Sequence, residues 1–330
     1  MTRSFGAAIL GCAGLRLTPA EKRFFAQCWP AGFILFQRNL DTAEQIRALC
    51  ADLRDAVGWG APIFIDQEGG RVQRMWAPLV TDFLPPLDDV ARLGSKAARG
   101  MALRYGIIAA ELHRLGIDGN CSPALDVARD ETHPFLRNRL LSDDPEVVSR
   151  LGRVIVDAQL EQGVLPVIKH MPGHGLGTAD SHLHLPRSAA SAEVLDAIDF
   201  APFKALSDVP LGMSAHLVFE AFDGEEPATV SGTMISVIRD RIGFGGVLMT
   251  DDISMEALSG TVADRGAAAR AAGCDLVLHC NGDMCEMQSL MDRIGRLDAG
   301  DHARVMSAYG QRICPETVDI AAMRAEFEAL

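Results

Sequence analysis

Three short segments collect the side chains able to do nucleophilic or acid–base chemistry. Each follows an apolar run: Asp66-Gln-Glu68-Gly-Gly-Arg71-Val-Gln-Arg74, Lys169-His170-Met-Pro-Gly-His174-Gly, and the tandem Asp251-Asp252. The second continues to Asp180-Ser-His182-Leu-His184, so with His216 five of the nine histidines fall at the ends of apolar runs or in the loops after them. A charge inside an apolar strand is costly, whereas one at its lip can be partly solvated. Two chemistries suit the set. His170, His174, His182 and His184 could ligate a metal, although Met171-Pro-Gly between the first two rules out a helical pair. Glycosidic cleavage instead needs a carboxylate near the anomeric carbon and a proton donor near the leaving oxygen. Asp251 offers the first; His182, oriented and charged by Asp180, offers the second. Imidazole titrates near pH 6.5, and an adjacent aspartate raises that value and keeps it a competent acid. After the leaving group departs, the same ring can take a proton from water.

Each residue also has a plain structural reading. Asp251 and Asp252 could cap a helix starting near Ser254-Met-Glu-Ala; capping accounts for one carboxylate better than for two in tandem. Asp180 could form an Asx-turn, His182 could be a solvated loop histidine, and Arg71 and Arg74 could simply pair with acids. His113, His133 and His302 are assigned no role.

The elements that must position these groups read as short apolar strands followed by amphipathic helices. Strands are expected at Gly6–Cys12, Ala31–Phe36, Pro62–Asp66, Asn120–Asp126, Val164–Lys169, Leu211–His216, Gly245–Thr250 and Asp275–His279. Thr18-Pro-Ala-Glu21 has the form of a capping box. Helices are expected from about Asp41, with Ile46, Leu49, Leu53 and Val57 on one face, over about 88–115, and after Asp144-Pro145. Eight strands in a β-α rhythm give an α/β fold, a TIM-type (β/α)8 barrel, with a doubly wound open sheet as the alternative. Residues 1–330 then form one catalytic barrel domain. In such a barrel the strands' C-terminal ends carry the chemistry, which is where the polar segments lie.

Composition narrows the class further. With 44 acidic and 31 basic residues the net charge is −13, and no basic stripe suggests a nucleic-acid partner. The eight cysteines form no C-x-x-C pair, which favours free, largely buried thiols in a reducing compartment. Leu10-Gly11-Cys12 faintly resembles a lipoprotein signal, but eleven preceding residues are few for one, and a first buried strand fits better. No apolar run reaches the roughly 20 residues that cross a bilayer, so a cytoplasmic, membrane-free protein is expected.

Together these motifs resemble the β-N-acetylhexosaminidase branch of glycoside hydrolase family 3. The carrying residues are Asp66–Arg74, Lys169–Gly175 with Asp180-Ser-His182, Met249-Thr-Asp251-Asp-Ile-Ser-Met-Glu256, and Gly32–Asn39 as the family's second strand, a match spanning about residues 6–285. The resemblance implies a retaining double displacement with Asp251 as nucleophile, His182 as acid/base and Asp180 polarising it. It further implies that Asp66, Arg74, Arg139, Lys169 and His170 hold the sugar in the −1 subsite. Many β-glucosidases of this family resemble a barrel plus a following domain that supplies a glutamate acid. This chain ends at Leu330, so its acid is expected from the barrel loop at Asp180-x-His182. The implied substrate is N-acetylglucosamine β-linked to 1,6-anhydro-N-acetylmuramic acid, as in peptidoglycan recycling. No cofactor or metal is implied, and a monomer acting on a small-molecule sugar is expected. The alternatives are a family 3 β-glucosidase, an N-acetylglucosamine phosphorylase, a metal-dependent barrel hydrolase and a sugar-binding protein without turnover.

Overall fold

Nearly every strand position is apolar because both faces of each strand are buried. The computed structural model describes residues 4–177 and 185–330. Eight strands, β1 (Gly6–Leu10), β2 (Pro30–Leu35), β3 (Ile63–Ile65), β4 (Gly119–Asn120), β5 (Leu165–Met171), β6 (Leu211–Ser214), β7 (Val247–Asp252) and β8 (Leu276–His279), pair in parallel in sequence order. β8 returns to β1, at Ala8 beside Val277, and closes a (β/α)8 barrel. Ala7, Ile9, Phe64, Val167, Met213, Met249 and Leu278 belong to an inner core. Ala8, Leu10, Ile63, Ile65, Ile168, Leu248 and Val277 face the surrounding helices. Gly119 is required by this filling: a Cβ there would sit 2.2 Å from the Phe64 ring.

The helices begin largely as the sequence directs. Thr18 and Glu21 form a reciprocal capping box at the start of α1 (Pro19–Cys28). α2 (Ala43–Val57) buries Ile46, Leu49, Leu53 and Val57. The expected helix over 88–115 is instead a short helix, Pro86–Leu93, a tight turn at Gly94–Lys96, and then α3 (Ala97–Arg114). Gly94 adopts φ +52°, a left-handed conformation that ends the first helix. Asp144 caps α4 (Pro145–Glu161), whose buried apolar side chains are Val148, Leu151, Ile155, Val156 and Ala158. Val147 and Val154 are only half-buried, so the face turned to the core is that of Val148, Leu151 and Ile155.

Two features orient the barrel. Phe5, Trp29 and Trp59, each just ahead of a strand, plug the N-terminal end: Phe5 packs on both tryptophans, and Trp59 in turn stacks on Tyr309. The C-terminal end stays available. There the fourth strand is shorter than expected, because Pro123 has no N–H to offer the ladder. The chain nevertheless continues beside β5, with the Leu125 amide donating to the Lys169 carbonyl at 2.7 Å, and delivers Asp126 to the strand ends. No helix among the described residues is long and apolar enough to cross a membrane.

Candidate active site

At the C-terminal ends of the strands lies a cavity of about 200 Å³. Asp66, Arg74, Arg139, Lys169, His170 and Asp251 all line it, with Phe36, His174 and Met213 among the other walls. Six of the eight residues singled out from sequence thus converge on one space. The remaining two, Asp180 and His182, lie outside the described residues, as does His184.

The cavity wall is an ion network. Asp66, directly after β3, accepts from Lys169 Nζ at 3.0 Å and from Arg74 at 2.9 Å. Arg74 also lies over the Phe36 ring, 4.7 Å from its centroid. Lys169, on β5, reaches a second carboxylate, Glu68, at 2.7 Å. Arg139 clamps that same carboxylate with two bonds of 3.0 and 2.8 Å. Burial pushes both acids upward, but the adjoining cations outweigh it. Lys169 and Arg74 hold Asp66 well below the carboxylate range, and Arg139 and Lys169 bring Glu68 down to about 2. Burial would lower the Lys169 pKa, yet Asp66 and Glu68 keep it raised and the ammonium charged.

A second cluster holds the histidines. Asp126 pairs with His170 Nδ1 at 2.7 Å and accepts the backbone amides of His170 at 3.1 Å and His174 at 2.6 Å. One carboxylate therefore fixes the ring of His170, leaving Nε2 for the cavity, and shapes the turn into the following loop. His174 is buried, and neither of its ring nitrogens has a hydrogen-bond partner among the described residues. Burial, with His170 beside it, pushes its pKa down to about 4, so the ring is neutral.

The tandem aspartates differ sharply. Both oxygens of Asp252 are engaged, by the Ser254 amide at 3.1 Å, the Ser254 hydroxyl at 2.8 Å and the Cys280 amide at 3.2 Å. Among the described residues Asp251 receives a single bond, from the Asp252 amide to Oδ1 at 2.8 Å. Burial tends to raise its pKa; His216, His170, that amide and Lys169 outweigh it and keep Asp251 ionised. His216 is buried, its pKa lowered by that burial. Its Nε2 lies 3.1 Å from the Asp252 carbonyl and its Nδ1 2.8 Å from the Thr229 hydroxyl. It steadies the peptide that carries both aspartates. The helix expected from Ser254 is absent: the chain turns until Thr261 caps α5 (Val262–Ala272). Asp252 is thus a turn-former rather than a helix cap, and Asp251 faces the cavity with its Oδ2 unengaged among the described residues.

Glu68 and Asp126 were not singled out from sequence. Both carried a signal: Glu68 lies two residues past Asp66, and Asp126 ends the fourth apolar run, as Asp66 ends the third. Arg71, a candidate partner for acids by sequence, lines the cavity with its guanidinium 3.7 Å over the Phe135 ring and donates to the Phe135 carbonyl. Among the described residues no three His, Cys, Asp or Glu side chains are grouped to hold a metal ion. All eight cysteines are free thiols; five are buried, Cys28 is half-buried, and Cys285 and Cys314 are exposed.

Known proteins share this architecture over almost its whole length. Residues 10–313 match the sequence model of the glycosyl hydrolase family 3 N terminal domain. A β-hexosaminidase of Chromobacterium violaceum is 35% identical over 285 residues, 84% of this chain and 79% of that protein. One of Bordetella avium is 35% identical over 310 residues, 88% of each. The crystal structure of NagZ from Neisseria gonorrhoeae in complex with N-trifluoroacetyl-D-glucosamine superposes with a TM-score of 0.85 at 30% identity, covering 99% of this chain and 96% of that one. A family match of this extent, with relatives at 35% identity across most of the chain, supports one assignment: the protein belongs to glycosyl hydrolase family 3, as a glycosidase of the β-hexosaminidase branch.

Proposed function

We propose that the protein is a retaining exo-β-N-acetylglucosaminidase in which Asp251 is the nucleophile and His182, polarised by Asp180, is the acid/base. The observation that carries this reading is the contrast at the end of β7. Both line the cavity, but Asp251 is ionised and keeps an oxygen with no partner among the described residues, whereas Asp252 is saturated by the turn. A carboxylate in that state can attack an anomeric carbon and form a glycosyl-aspartate. In the second half of the reaction, imidazole would deprotonate the incoming water. The segment bearing Asp180 and His182 follows Gly177, itself a cavity-lining residue. Asp66, Arg74, Arg139, Lys169 and His170 would bind the hydroxyls of the sugar in the −1 subsite. One barrel would carry the whole reaction, with no cofactor or metal.

The acyl-glucosamine bound by the gonococcal relative favours N-acetylglucosamine as the glycone. The natural substrate on this reading is N-acetylglucosamine β-1,4-linked to 1,6-anhydro-N-acetylmuramic acid, with or without peptide, during cytoplasmic peptidoglycan recycling. The test is hydrolysis of an aryl β-N-acetylglucosaminide beside the matching glucoside, with NMR of the first-formed anomer. Preference for the N-acetyl sugar and a β product are expected. An α product would overturn the double displacement, faster cleavage of the glucoside would overturn the glycone, and a sugar 1-phosphate in phosphate buffer would replace hydrolysis with phosphorolysis.

A further inference from the structure

We infer that Glu68 is a positioning residue: it contributes to sugar binding by holding Arg139 and Lys169 in place, without touching the sugar itself. The inference rests on the subsite reading above. Arg139 and Lys169 line the cavity, whereas Glu68 does not. Its carboxylate is nonetheless filled: Oε1 accepts from Lys169 at 2.7 Å and Arg139 at 2.8 Å, and Oε2 accepts from Arg139 Nε at 3.0 Å. The two-point clamp fixes the plane of the guanidinium and leaves its other N–H groups, with one ammonium hydrogen of Lys169, for hydroxyls of a ligand. Glu68 is itself held, because its carbonyl accepts from Arg104 at 2.7 Å and from Tyr105 at 3.3 Å. The backbone can come that close to Arg104 because residue 69 is glycine, at φ +89°; a Cβ there would lie 2.2 Å from the guanidinium.

The two cations do not depend on Glu68 equally. Lys169 keeps Asp66 if Glu68 loses its charge. Arg139 has no other carboxylate within ion-pair distance among the described residues. Loss of the Glu68 charge should therefore act mainly through Arg139.

The isosteric variant E68Q, R139M and the double variant give a cycle on KM and kcat for an aryl N-acetylglucosaminide. E68Q is expected to raise KM about tenfold or more with a smaller change in kcat, and the double variant to be no worse than R139M. Additive losses, or an E68Q enzyme with unchanged KM, would overturn the inference, because a residue that only supports the fold would lower the active fraction and leave KM alone. An NMR spectrum of the arginine Nε–H groups supplies a readout independent of turnover. A slowly exchanging resonance, assigned to Arg139 by its loss in R139M, should vanish in E68Q, and its persistence would also overturn the inference. If the wild-type enzyme cleaves no N-acetylglucosaminide, the subsite reading fails while the NMR result still decides the role of Glu68.

Discussion

Removing the Asp126 carboxylate tests how the histidine cluster is built. Asp126 takes two backbone amides and the His170 ring, at 2.6 to 3.1 Å, and is fully buried. Hydrogen bonds to a charged acceptor contribute roughly 1.5–3 kcal/mol each, so three would sum to about 4.5–9 kcal/mol if independent. Against this stands the desolvation of a buried carboxylate, several kcal/mol, which alanine relieves. The net expectation for D126A is a loss of about 3 kcal/mol, at the low end for a broken buried pair. At about 2 °C per kcal/mol for a large domain, that is a fall in Tm of about 6 °C. D126N keeps an acceptor for the backbone but can also donate to His170 Nδ1, so the ring is no longer fixed as the Nδ1–H form. The expected cost is about one neutral hydrogen bond in ligand affinity, roughly tenfold in KM. Calorimetry at a fixed scan rate and steady-state kinetics on the two variants measure both effects. A D126A protein with wild-type Tm and wild-type KM would refute the reasoning.

Other consequences are as direct. Asp66, Glu68 and Asp126 all have folded-state pKa values below the ordinary carboxylate range. The stability they give is complete only above the unfolded values, 4.5 for Glu68 and 3.8 for the two aspartates, and is lost as pH falls towards about 2 for Glu68; the urea midpoint should therefore decline below about pH 5, and less steeply in E68Q. D252N should lower stability by about 1–2 kcal/mol through the weakened turn and reduce turnover less than tenfold, whereas D251N should nearly abolish turnover with the fold intact; the reverse pattern in an activity assay would exchange their roles. H182A should slow substrates with poor leaving groups by roughly 10²–10⁴-fold and activated aryl glycosides far less, since only the former need protonation, and equal losses would argue against an acid.

Much of this was legible in sequence because parallel barrel strands are buried on both faces and so appear as uninterrupted apolar runs. The chemistry was legible where a charge interrupts such a run at its end, as at Asp66, Lys169 and Asp251. What sequence did not disclose depends on partners far along the chain. Glu68 resembles any loop carboxylate until Arg139 and Lys169 close on it from 71 and 101 residues away. Asp126 gains its meaning from His170, 44 residues later. The helix expected at Ser254 failed for a similar reason. Its local propensity loses to Asp252, which fixes a turn onto Ser254 and the distant Cys280. Arg265 meanwhile takes the carbonyls of Ile253 and Met255 at 3.2 and 3.1 Å.

The proposed double displacement requires that a carboxylate oxygen of Asp251 bond to the sugar. Incubation with a slow 5-fluoro-N-acetylglucosaminyl fluoride, followed by proteolysis and mass spectrometry, locates the covalent adduct. One sugar per chain is expected, esterified to Asp251 and absent from D251N. Label on Asp252, label on another residue, or full turnover with no adduct at all would contradict it.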